Sequence, residues 1–82
     1  MEVVFSKHAL QQLQERNLSR AEVSLTIRRP QKIIRQVSGR FQAVRVLYRQ
    51  GKRYLLVVVY EENNAHATVV TAFLTTKFKK YL

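Results

Sequence analysis

The stretch FSKHALQQLQER, residues 5–16, holds the residues best suited to chemistry. His8 sits just inside a helix start, Gln12 follows one turn later, and Arg16 points to a neighbouring side. A neutral imidazole there can take a proton from a hydroxyl, and nearby cations can stabilise a crowded phosphate. With a proton donor for the leaving oxygen, these are the groups that metal-independent RNA cleavage requires. The plainer alternative is that His8 is a solvated residue beside a helix cap. His66, at the start of a strand after an Asn-Asn turn, needs only that plainer reading.

Other chemistries are poorly served. There is no Asp and no Cys, and the five Glu are scattered, so carboxylate-rich metal sites and thiolate chemistry lack ligands. No metal site and no cofactor is expected. Glu61 and Glu62 adjoin on a strand and so point to opposite faces. The two glycines, Gly39 and Gly51, fall at turns and form no phosphate-binding loop.

Charge points to the partner. Fifteen Lys and Arg against five acids give a formal net charge of +10, and such a surface seeks a polyanion, an acidic protein or anionic lipid. No apolar run approaches the ~20 residues of a membrane span, and no signal-peptide pattern opens the chain. A soluble, cytoplasmic protein of one domain, residues 1–82, with no membrane partner, is the expectation.

The elements that must position these groups are legible from period and punctuation. Glu2 to Phe5 reads as an extended entry. Ser6 caps a helix over Lys7 to Arg16, with Phe5 and Leu10 spaced as a hydrophobic staple. Ser19 and Glu22 have capping-box spacing for a second helix, which stops before Pro30. Four extended segments follow: Lys32–Val37, Arg40–Gln50, Arg53–Glu62 and Ala65–Thr75, separated by Ser38-Gly39, Gly51-Lys52 and Asn63-Asn64.

The predicted fold is therefore α+β, a two-helix hairpin on one face of a four-stranded antiparallel sheet. Two-residue hairpin loops would place Val44, Val46, Tyr48, Leu55, Val57, Val59, Val70, Ala72 and Leu74 beneath the helices. The opposite face would carry Arg45, Arg49, Tyr54, Leu56, Val58, Tyr60, Val69, Thr71, Phe73, Thr75 and, just beyond, Lys77. In the closing TTKFKKYL, the lysines could lie against phosphates while the rings stack on a base, or the rings could cap the sheet.

The segments SKHALQQLQERNLS and VVTAFLTTK resemble an uncharacterised family of small bacterial domains. Ser6, His8, Ala9, Arg16, Leu18 and Ser19 match its opening, and Thr71 and Phe73 match its final strand. Such domains are grouped with metal-independent ribonuclease toxins of the barnase, EndoU, colicin and RelE type. The resemblance implies a RelE-like fold, a catalytic set of His8, Arg16 and Thr71, and an acidic antitoxin partner. Gln12 departs from the pattern, where the family often has an arginine.

The expected function is thus an RNA-directed, toxin-like protein acting as a metal-independent ribonuclease. Arg45 and Arg49 would help Arg16 hold phosphate, Thr75 would share the orienting role of Thr71, and Lys77 would add charge. Tyr54 and Phe73 would stack on unpaired bases. Two alternatives use the same surface: a non-catalytic RNA-binding domain, and a basic module that meets an acidic protein.

Overall fold

A computed structural model describes Met1–Leu82. Its elements, in chain order, are β1 (Glu2–Phe5), α1 (Lys7–Glu15), α2 (Arg20–Arg28), β2 (Lys32–Arg35), β3 (Phe41–Arg49), β4 (Lys52–Asn63), β5 (His66–Thr75) and α3 (Phe78–Tyr81). The five strands form one mixed sheet in the order β1-β5-β4-β3-β2. No helix is long and apolar enough to cross a membrane.

Both N-terminal helices start where the sequence predicts. Ser6 accepts a hydrogen bond from the Ala9 N–H at 3.1 Å, satisfying one of the N–H groups that a helix start leaves free. At α2 the capping box closes: the Glu22 N–H donates to Ser19 Oγ at 3.0 Å, and the Ser19 N–H donates to Glu22 Oε1 at 2.9 Å. Between the helices Asn17 takes a left-handed φ of 55°, a conformation Asn tolerates better than most residues. The predicted two-helix hairpin is corrected: the helices sit over different strands, α1 against β5 and α2 against β3 and β4, and a short third helix, α3, follows the sheet.

The predicted four-stranded antiparallel sheet is corrected to five strands, mixed in direction. Glu2–Phe5 pairs in parallel with His66–Val69. The β3–β4 loop is Gln50-Gly51, both with positive φ, and Arg49 pairs with Lys52. The predicted Gln50–Arg53 pairing thus slides by two residues, which leaves the grouping of side chains by face intact.

The choice of face is also corrected. Ala9, Leu13, Leu18, Val23 and Ile27 from the helical layer pack with Ala43, Leu56, Val58, Tyr60, Ala67, Val69 and Ala72 of the sheet. Val44, Leu55 and Val57 form a second cluster on the other face, joined by Val46, Phe73, Phe78 and Tyr81. So Val46 and Val57, predicted beneath the helices, lie away from them. Arg45 lies against the end of α2, its Nη1 donating to the Arg29 carbonyl at 2.6 Å.

Two physical reasons account for the inversion. Phe78 and Tyr81 cover the second face, so both faces of the central strand are buried, and every residue from Leu55 to Tyr60 is inside. Besides this, Tyr60 pairs with Val69 while Val59 pairs with Thr71. Val70 is left as the extra residue of a β-bulge, and that odd insertion changes which face the rest of β5 presents. Ala72 and Leu74 consequently join the helix-side core as predicted, although Val57 does not.

Candidate functional site

Helix α1 presents two sides. Ala9 and Leu13 are buried in the core, while His8, Gln12 and Arg16 recur at intervals of four and so form a polar stripe one turn apart. β1 pairs with β5 only as far as Val69. From Val70 onward the outer edge of β5 has no strand neighbour, and the α1 stripe closes it with side chains.

Arg16 and Thr71, far apart in sequence, meet there. Arg16 Nη1 donates to Thr71 Oγ1 at 3.0 Å and to the Ala72 carbonyl at 2.8 Å. The Thr71 hydroxyl donates to Gln12 Oε1 at 2.7 Å. Gln12, set apart in the sequence as a departure, is therefore the acceptor that orients Thr71. A guanidinium carries five N–H donors, and only those of Nη1 are engaged within the protein. The remaining donors of this exposed residue can reach an anion. His8 is exposed one turn before Gln12, and its imidazole makes no hydrogen bond within the protein.

The expected RNA-binding residues do not assemble beside this seam. Arg45 is tied to the C-terminal end of α2. Arg49 Nη2 donates to Glu22 Oε1 at 2.8 Å and Oε2 at 3.0 Å, so its charge is already matched. Tyr54 pairs with Leu47, which packs on the helix-side core, and Lys52 Nζ lies 5.3 Å from its ring centroid. Phe73 packs in the second cluster, its ring in a T-shaped arrangement with that of Tyr81 and the centroids 6.0 Å apart. Thr75 Oγ1 accepts from the Lys77 N–H at 3.1 Å, and Lys77 is exposed at the entry to α3.

Glu22 shows how tightly the second arginine is held. Burial by itself pushes this carboxyl up, but the Ser19 N–H and the Arg49 guanidinium outweigh it. The net result is a pKa below the ordinary 4.5. His66 has a structural partner: its Nε2 lies 2.8 Å from Glu2 Oε1, tying β1 to β5. No three His, Cys, Asp or Glu residues converge as they would around a metal ion.

Fold and seam together define a small α+β domain in which the first helix closes the edge of the last long strand with an Arg–Thr–Gln network. Residues 5–74 match the family described as a domain of unknown function, DUF4258. The chain belongs to that family, and the match runs from the residue before the first cap into β5. No curated protein and no solved structure matches the chain.

Proposed function

We propose that this domain is directed at RNA and cleaves it without a metal, as a RelE-like toxin of a toxin–antitoxin pair in the cytoplasm. The observation that carries the reading is the Arg16–Thr71–Gln12 network beside His8 on one side of α1. In this account His8 takes the proton of a ribose 2′-hydroxyl, and that oxygen attacks the adjacent phosphorus. The bond from phosphorus to the 5′-oxygen breaks, and the leaving oxygen receives a proton from water. The unengaged donors of Arg16 stabilise the charge on the phosphate, and Thr71 positions that guanidinium. A net charge of +10 supplies long-range attraction for RNA, and for the acidic antitoxin that would restrain the protein.

One observation favours a second reading, a non-catalytic RNA-binding domain: His8 has no hydrogen-bonded group to orient it, whereas a catalytic base is usually held by a third residue. Incubation of purified protein with RNA in excess chelator separates the two. The enzymatic reading expects cleavage to persist and to leave 2′,3′-cyclic phosphate ends. Binding without cleavage selects the second reading, and absence of both returns the basic surface to an acidic protein partner.

A further inference from the structure

The basic surface has a second focus, at the end of the sheet where β3 turns into β4. Tyr48 is the one aromatic residue in the exposed class, at 68%. Its cross-strand neighbour is Arg53, whose guanidinium carbon lies 4.5 Å from the centroid of the Phe78 ring. That stacking fixes an otherwise mobile cation beside the exposed ring. The segment containing Phe78 also presents Lys77, Lys79 and Lys80, which line a shallow cleft with Thr76. None of these cations has a carboxylate partner; the ion pairs of the chain are Arg40–Glu61, Arg49–Glu22 and His66–Glu2.

We infer that this surface, formed by Tyr48, Arg53 and the lysines of the C-terminal segment, binds single-stranded RNA, with a base stacked on Tyr48 and phosphates on the cations. An exposed ring interleaved with unpaired cations is the arrangement that grips unpaired nucleic acid, because every base has a face to stack and every linkage a charge. A duplex offers the charges but keeps its bases stacked inside. The inference rests on the RNA-directed reading and adds where the strand is held. Past Ala72, where Arg16 is bound, the outer edge of β5 runs on to Thr75, roughly 10 Å at about 3.3 Å per residue, toward the end of the sheet that holds Arg53.

The test is fluorescence anisotropy with a labelled 2′-O-methyl oligouridine of about ten nucleotides, within the usual site size. The methyl group blocks the attacking oxygen, so binding is read without cleavage. Tyr48→Ala should weaken binding about 5-fold to 100-fold, as the loss of one stacked base does, and Tyr48→Phe should bind like wild type. Arg53→Ala should weaken binding and lower the salt slope by roughly one counterion. Circular dichroism confirms that each variant is folded. If wild type binds the probe and Tyr48→Ala and Arg53→Ala match it in affinity and salt slope, this surface is wrong while the RNA reading stands. If folded wild type does not bind the probe even at low salt, both fall.

Discussion

At the scale of single residues, the basic side chains that looked alike in the sequence have different employment. Arg16 completes the β5 edge and keeps donors to spare, Arg45 ends a helix, and Arg49 balances Glu22. Arg16→Ala should therefore lose RNA affinity and also some stability, about 1.5–3 kcal/mol for a hydrogen bond from a charged group. Arg45→Ala should leave the salt slope of RNA binding unchanged, which salt titrations of the two variants would show. Glu22 predicts a pH dependence. Its carboxyl titrates below 4.5 when folded, so its contribution is full above the unfolded-state pKa and is lost as pH falls through the folded one. Urea midpoints should drop less on acidification in Glu22→Gln than in wild type, and equal drops would mean the Arg49 pair contributes nothing.

At the scale of elements, the caps were legible because capping is local: Ser6, Ser19 and Glu22 act on backbone within three residues. The faces were not, because they depend on two features without a local signature. One is the bulge at Val70; the other is α3, four residues whose rings close the second face. The run LLVVVY did carry a signal, since an uninterrupted apolar strand is buried on both sides, and all six of its residues are inside. Leu56→Ala in this strand should cost about 2–5 kcal/mol, read from denaturant unfolding. Tyr81→Ala should destabilise too, whereas a final segment without a packing role would tolerate it.

At the scale of the whole molecule, the candidate site was only partly legible. His8, Arg16 and Thr71 lie along one seam or one turn from it, since helical spacing and the order of strands bring α1 to β5. The proposed RNA face dispersed, because Arg45, Arg49 and Tyr54 turned toward the helices while Phe73 went into the second cluster. Charge is what survives that rearrangement: +10 on 82 residues, with Lys77, Lys79, Lys80 and Arg53 gathered around Phe78. Cleavage of RNA at the α1 seam depends on His8, whose exposed imidazole makes no hydrogen bond within the protein, so its removal should not disturb the fold. The decisive measurement is the rate of RNA cleavage by His8→Ala alongside its RNA affinity, both in excess chelator. The variant should cleave about 100-fold to 10,000-fold more slowly with affinity nearly unchanged; equal rates for wild type and variant would remove His8 from the chemistry.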